Sequence, residues 1–262
     1  MTAPVLAAGH DAGERLYQPG TSPIHRLPAE AKIVAAVLFV IVAVITPATQ
    51  YAAFAWYAAL LVAVAIVARI GPRRILPRMA VEIPFVLFAA LLPFLGRPPM
   101  VEVLGMSLSQ PGLEAAWNIL AKATLGVATS VLLAATTRSR DLIDGLGRLH
   151  VPRLLVEIAS FMLRYIHVVG DEWRRMSQAR AARGFDARGP RAWSVQARSA
   201  GVLFIRSYER GERVHVAMRA RGYDGAMPVL LERTVALREW LLGLALPASA
   251  LLGALAIAAM AA

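Results

Sequence analysis

Five long apolar runs decide what this chain can fold into. They are rich in alanine, valine, leucine and isoleucine, and they lie at 33–46, 51–67, 81–96, 113–137 and 240–262. A helix rises about 1.5 Å per residue, so about 20 apolar residues cross the hydrocarbon core of a bilayer. Hydrophobic residues make up 58% of the 262-residue chain, which exceeds the usual share in a soluble domain. The sequence therefore predicts an all-α integral membrane protein with about five transmembrane helices.

The arginines between the runs set the predicted orientation. The loop 69–78 carries four arginines, whereas the loops 46–50 and 97–112 are poor in charge. Cytoplasmic loops of membrane proteins carry an excess of Lys and Arg. We therefore expect a multi-pass protein of the cell inner (plasma) membrane with its N-terminus in the cytoplasm. Residues 1–30 are polar and turn-rich, a composition that does not fit a signal peptide.

The distribution of charge divides the chain into four predicted parts. These are a cytoplasmic N-terminal segment (1–30), a membrane domain of about four spans (31–137), a cytoplasmic domain (138–239) and a final transmembrane helix (240–262). The third part has a net charge of +8, from 19 arginines and 11 acidic residues. Its apolar residues recur at helical spacing over 154–169 and 204–218, which predicts amphipathic helices at the membrane surface or packed on one another.

A short internal repeat is the most informative motif of this third part. Residues 179–186 read Ala-Arg-Ala-Ala-Arg-Gly-Phe-Asp, and residues 217–224 read Ala-Met-Arg-Ala-Arg-Gly-Tyr-Asp. The two octapeptides share five identical positions and an aromatic pair. Each follows an amphipathic pattern, and glycine tolerates the left-handed conformation that ends many helices. Gly184 and Gly222 are therefore predicted to stand where two helices stop.

The side chains around these glycines are suited to docking. Arg183 and Arg221 would lie at helix C-termini, where the helix dipole favours cations and a guanidinium can pair with a carboxylate of another protein. Phe185 and Tyr223 would be apolar anchors beside that charge. Two similar elements on one chain indicate a partner with two similar sites, for which dimeric ABC-type ATPases are candidates. The alternative is that both arginines only cap helix ends or contact lipid phosphates.

At these residues the chain resembles the transmembrane T component of energy-coupling factor (ECF) transporters, and most of all the cobalt-type (CbiQ-like) subgroup. That family carries two Ala-Arg-Gly-like motifs at the ends of its coupling helices. The matching residues are Ala182, Arg183 and Gly184 in the first motif and Ala220, Arg221 and Gly222 in the second. Supporting stretches are Ser-Pro-Ile-His-Arg-Leu (22–27), Phe-Met-Leu-Arg-Tyr (161–165) and Leu-Phe-Ile-Arg-Ser-Tyr-Glu-Arg (203–210).

The resemblance implies a role for the cytoplasmic domain as a coupling domain. A T component links two ABC-type ATPase subunits to a small substrate-binding membrane protein, and it neither hydrolyses ATP nor holds the substrate. Arg183 and Arg221 would enter grooves on the ATPases. The cargo of the cobalt-type systems is a divalent metal ion, which is needed for cobalamin biosynthesis.

The residues offer no catalytic or metal-binding motif of their own. The chain has no cysteine, no histidine pair at i,i+4 and no Walker A sequence. We therefore expect no enzyme activity, no cofactor and no metal site. A second hypothesis is a membrane-anchored module whose Arg-rich segment binds anionic lipid or nucleic acid. The 11 interspersed acidic residues argue against nucleic acid.

Three charged residues lie in or near the predicted spans. Glu82 and Glu114 stand near span ends, so an interfacial position is expected for both. Lys122 is deeper, and an intramembrane charge marks function by default. It is predicted to hold the helices together by pairing with Glu114 or with another span.

Overall fold

The computed structural model describes residues 17–95, 99–103, 106–185, 190–225 and 235–261. These residues are almost entirely helical, and the prediction of an all-α architecture is confirmed. The helices are α1 (Pro23–Arg26), α2 (Ala29–Ile45), α3 (Tyr51–Val67), α4 (Pro72–Ile75), a 3-10 helix (Leu76–Glu82), α5 (Ile83–Leu95), α6 (Gln110–Thr136), α7 (Ser139–Arg148), α8 (Arg153–Ala182), α9 (Pro190–Ala220) and α10 (Leu237–Ala261).

Three helical stretches of the described residues are long and apolar enough to cross a membrane. They are Leu76–Leu95, Gln110–Thr136 and Leu237–Met260. The two other predicted spans coincide with α2 and α3, which are shorter at 17 residues each. The third predicted span is longer than its apolar run, because the 3-10 helix leads directly into α5 and lengthens it at the N-terminal end.

The chain forms two compact units, and the first contains the predicted spans. It comprises residues 15–149 and 234–262 and is called the membrane unit. Within it, α2 packs against α6, α7 and α10, and α5 packs against α6. Phe39 and Tyr57 are fully buried at its centre with their ring centroids 5.9 Å apart. The Tyr57 hydroxyl lies 2.8 Å from Thr46 Oγ1, so the polar end of this ring is satisfied inside the core.

Two charged residues at the start of α2 fasten neighbouring elements to it. Lys32 Nζ donates to the carbonyl of Thr136 at 2.9 Å, to Thr137 Oγ1 and to the carbonyl of His25, both at 3.3 Å. Glu30 is 2% exposed, and its carboxylate lies 3.0 Å from Nε of Arg148 in α7. A buried charge needs such partners, so these contacts fix α2 against the C-terminal ends of α6 and α7.

The two acidic residues of the spans form hydrogen bonds within the membrane unit. Glu82 is 6% exposed and accepts a hydrogen bond from Thr124 Oγ1 at 2.5 Å, so its carboxylate is buried, and its interfacial depth stays a prediction. It lies at the end of the 3-10 helix, where it faces α6 instead of water or lipid head groups. Glu114 accepts a hydrogen bond from Gln110 Nε2 at 3.2 Å.

Lys122 does hold another helix, as predicted in one of the two alternatives. Its Nζ donates to the carbonyl of Val44 in the last turn of α2 at 2.7 Å. The partner is a backbone carbonyl left free by the helix end, which a cation near a helix C-terminus satisfies well.

Two elements between the spans were not anticipated. The predicted loop 97–112 contains an antiparallel ribbon of β1 (Met100–Val103) and β2 (Met106–Ser109), in which Met100 pairs with Ser109. α7 packs on α2 and so belongs to the membrane unit. The second compact unit therefore begins at residue 150, whereas the predicted cytoplasmic domain begins at 138.

The second unit consists, among its described residues, of α8 and α9 with the turns that follow them. The helices have 30 and 31 residues. Arg206 of α9 forms an ion pair with Glu172 of α8. Beyond the C-terminus of α9, the Tyr223 hydroxyl reaches Glu157 near the N-terminus of α8. The earlier residue of α8, Glu157, contacts the later partner, Tyr223, and the later residue, Glu172, contacts the earlier partner, Arg206. The helices α8 and α9 therefore form an antiparallel pair.

Candidate functional site

The first repeat ends α8 in a Schellman turn. The helix stops at Ala182, and Arg183 is its C-cap residue. Gly184 follows with φ +78°, its N–H donates to the carbonyl of Ala181 at 3.0 Å, and the N–H of Phe185 donates to the carbonyl of Arg180 at 3.1 Å. These are the two backbone bonds of the Schellman motif. We call residues 180–185 the Arg183 turn.

The second repeat ends α9 in the same way. The helix stops at Ala220, Arg221 follows it, and Gly222 has φ +88°. The N–H of Gly222 donates to the carbonyl of Arg219 and that of Tyr223 to the carbonyl of Met218, both at 3.0 Å. We call residues 218–223 the Arg221 turn. The prediction that both glycines stand where a helix stops is confirmed.

The two turns present the same chemical groups. Arg183 and Arg221 are exposed, while Phe185 and Tyr223 are partly buried beside them. An exposed guanidinium keeps its five donors available, and the last carbonyls of the helix add negative potential around it. Each turn therefore combines a cation that can pair with a carboxylate and, two residues later, a partly buried aromatic ring. The docking role predicted for these residues remains a prediction.

The two turns lie at opposite ends of the helix pair. The Arg221 turn contacts α8 through Glu157, which stands 25 residues before Ala182. At about 1.5 Å per residue, this places the two turns about 38 Å apart. One small groove cannot bind both turns over such a distance.

A charged cluster joins the helices between the turns. The Glu172 carboxylate lies 3.0 Å from Nη2 of Arg175 on its own helix and also pairs with Arg206 of α9. Hydrogen bonds from these two guanidinium groups hold the pKa of Glu172 below its ordinary value. The repeat did not reveal this pair, because Glu172 and Arg206 have no equivalent partner at the repeat spacing of 38 residues.

Metal ligands do not converge in the described part of the chain. Among residues 17–95, 99–103, 106–185, 190–225 and 235–261, no three His, Asp or Glu side chains come close enough to hold a metal ion together.

The sequence profile of a known family covers this helix pair and most of the membrane unit. The profile of the cobalt transport protein CbiQ matches residues 20–230. The chain belongs to this family. The predicted resemblance to the CbiQ-like T component is therefore confirmed, and the family is one of transport proteins and not of enzymes.

Individual relatives carry names of the same kind. The cobalt transport protein CbiQ of Rhodobacter capsulatus is 31% identical over 132 residues, which are 50% of this chain and 54% of that protein. The energy-coupling factor transporter transmembrane protein EcfT of Bacillus subtilis is 28% identical over 223 residues, which are 80% of this chain and 83% of that protein. EcfT of Limosilactobacillus fermentum is 32% identical over 130 residues, which are 45% of this chain and 49% of that protein. The chain spans about half the length of several of these curated relatives.

Proposed function

We propose that this chain is the transmembrane coupling subunit of an ECF-type ABC importer. In this role it links ATP hydrolysis by two ABC-type ATPase subunits to uptake of a divalent metal ion, with cobalt as the expected cargo. The observation that carries the proposal is the pair of identical Arg-containing Schellman turns at opposite ends of one helix pair.

The separation of the turns supports two ATPase subunits as partners. Equal motifs about 38 Å apart fit equal grooves on two subunits better than two places on one subunit. Each turn is tied to the helix that carries it, because the N–H groups of the αL residue and of its successor bond to carbonyls of the last helical turn. A docking element tied in this way transmits a displacement of its partner to the helix that carries it, and through the Glu172–Arg206 pair to the other helix.

The cargo would be held by another protein. A small substrate-binding membrane component would contact this chain in the bilayer and select the ion. The names of the R. capsulatus and B. subtilis relatives, a cobalt transport protein and a transmembrane protein of an energy-coupling factor transporter, support this assignment. We further propose an inner-membrane location with the N-terminus, α8 and α9 in the cytoplasm, as the arginine-rich loop 69–78 favours.

The test is retention of the ATPase by the purified membrane complex. The chain would be solubilised in detergent and isolated with its ABC-type ATPase, as wild type and as Arg183→Glu, Arg221→Glu and the double variant. Each single reversal removes one docking point, and we expect about a tenfold loss of retained ATPase. The double variant should retain none, and cells that carry it should lose energy-dependent uptake of labelled Co²⁺.

The matched control is Arg198→Glu. Arg198 is exposed on α9 and lies outside both turns, so the change in net charge is the same. If Arg198→Glu weakens retention as much as Arg221→Glu, binding depends on total charge, and the hypothesis of an anionic lipid surface takes the place of the coupling proposal. If the double variant still retains the ATPase, the turns are not the docking points.

A further inference from the structure

The two turns have the same backbone but not the same support. The hydroxyl of Tyr223 donates to Oε2 of Glu157 at 2.8 Å. This bond joins the Arg221 turn to the opposite helix, 66 residues earlier in the chain. The residue at the same position of the Arg183 turn is Phe185, whose side chain has no hydrogen-bonding group. The first turn therefore cannot form the equivalent bond.

We propose that Glu157 is a positioning residue that holds the Arg221 turn in its docking geometry before an ATPase binds. The Arg183 turn has no such bond through its aromatic residue and adjusts to its ATPase on binding. The two docking points of one coupling subunit are then inequivalent, one preset and one adaptable. The inference rests on the proposed function in its second half, whereas the bond and its effect on the turn can be tested without any partner.

Preorganisation is the physical reason for the inequivalence. A docking element that is already in its bound conformation does not lose conformational freedom on association, so more of the contact energy appears as affinity. Tyr223 and Glu157 are well placed for this, because the bond spans from the last residue of the turn to a different helix. The bond to a carboxylate also raises the pKa of Tyr223, in agreement with a phenol that keeps its proton at neutral pH.

The partner-free experiment is hydrogen exchange on the full chain in detergent. The amides of Gly222 and Tyr223 are bonded within the Arg221 turn, and those of Gly184 and Phe185 within the Arg183 turn. We expect the Arg221 turn to exchange about fivefold more slowly in wild type. Tyr223→Phe, which makes the second turn match the first at this position, should remove that difference, as should Glu157→Leu.

Two comparisons separate positioning from a general loss of stability. Glu157→Gln keeps an oxygen that accepts from the hydroxyl, so it should restore most of the protection that Glu157→Leu removes. The Arg183 turn should exchange at its wild-type rate in all three variants. The proposal is overturned if the two turns already exchange equally in wild type, or if Tyr223→Phe accelerates both turns together.

The second experiment uses the ABC-type ATPase and isolates one turn at a time. In an Arg183→Glu background only the Arg221 turn remains, and Tyr223→Phe should lower retained ATPase to about a third. In an Arg221→Glu background the same substitution should have no effect. An equal loss in both backgrounds overturns the proposal. If wild type retains no ATPase, the coupling function fails, and hydrogen exchange still decides whether Glu157 positions the turn.

Discussion

At the scale of single residues, the left-handed position after a helix is occupied by glycine in both docking turns but by Arg69 after α3. Arg69 has φ +56°, and the N–H of Ile70 donates to the carbonyl of Ala65 at 2.9 Å, so α3 also ends in a Schellman turn. A non-glycine residue in this conformation costs about 1–2 kcal/mol. We therefore expect Arg69→Gly to stabilise the protein by about 1 kcal/mol, measured as a higher unfolding midpoint in detergent.

Gly222→Ala is the reverse control for this prediction. The Gly222 backbone has φ +88°, and an added Cβ would meet no atom within 4 Å, so the substitution tests conformation alone. It should lower stability by about 1 kcal/mol. If Arg69→Gly also lowers the midpoint, the Arg69 side chain contributes more than the strain of its backbone costs.

The free energy of unfolding is expected to depend on pH through His25, which lies just before α2. Burial lowers the pKa of His25 below its ordinary value of 6.5, and the neighbouring Lys32 ammonium lowers it further. The unfolded chain then binds a proton at a higher pH than the folded chain does. The contribution of His25 to stability is therefore constant above about pH 6.5, falls as the pH drops from there towards the folded pKa, and levels off below it.

The measurement is the unfolding midpoint between pH 8 and pH 5 for wild type and His25→Asn. The variant should lose part of the decrease at low pH, whereas the control His215→Gln, at an exposed position of α9, should keep it. If the unfolding midpoint of His25→Asn falls at low pH as much as that of wild type, other groups cause the acid sensitivity.

The conformation of a residue could be predicted from the sequence where its cause lies in the residue itself or in its chain neighbours. Gly184 and Gly222 end helices because of their own backbone freedom, and the repeat made them visible. The burial of Glu82 and Lys32 was not predicted, because it depends on which helix lies opposite. The only sequence signal for Lys32 was a charge at the start of an apolar run, which interfacial residues share.

At the scale of elements, α5 and α6 approach each other closely at Gly112. A Cβ on Gly112 would lie 2.5 Å from the carbonyl oxygen of Leu92 and 2.9 Å from Cα of Pro93. Both are backbone atoms, so the helices would have to separate. We expect Gly112→Ala to destabilise the protein by about 2–3 kcal/mol, measured as a lower unfolding midpoint.

Gly126 is the matched control on the same helix. A Cβ there would meet nothing within 4 Å. Since alanine favours a helix interior over glycine by about 1 kcal/mol, Gly126→Ala should be neutral or stabilising. Equal destabilisation by both substitutions would contradict the close approach of α5 and α6.

The positions of the membrane-length helices could be predicted from the apolar runs. The elements between the runs could not be predicted in this way. The spans were visible because lipid requires a continuous apolar surface. The 3-10 helix and α5 together show this with ten large apolar residues exposed from Leu76 to Leu95. The β1–β2 ribbon lacks a turn dipeptide of the strong hairpin type, and α7 has only three large apolar residues among its ten positions. Tertiary contacts with α2 decide the place of α7, and a sequence pattern does not contain them.

At the scale of the whole molecule, the chain has one unit with membrane-length apolar helices and one unit for which we propose docking. The domain boundaries predicted at 138 and 239 followed charge, while the compact units divide after 149 and after 233. The positions of Glu157, Glu172, Arg206 and Tyr223 show why the docking unit is a helix pair and not two independent amphipathic helices. Neither of the two contacts that these residues form repeats at the spacing of 38 residues, so the repeat indicated two docking points without their distance.

That distance is directly measurable because the chain has no cysteine. Spin labels at Ala182→Cys and Ala220→Cys, both exposed, would report the separation of the two turns by double electron–electron resonance. The antiparallel pair predicts about 40 Å. Arg164→Cys with Ala182→Cys gives an internal standard on α8, 18 residues apart and so at about 27 Å. A turn-to-turn distance below about 25 Å would bring both arginines within reach of one ATPase subunit, and the argument for two subunits would then lose its structural basis.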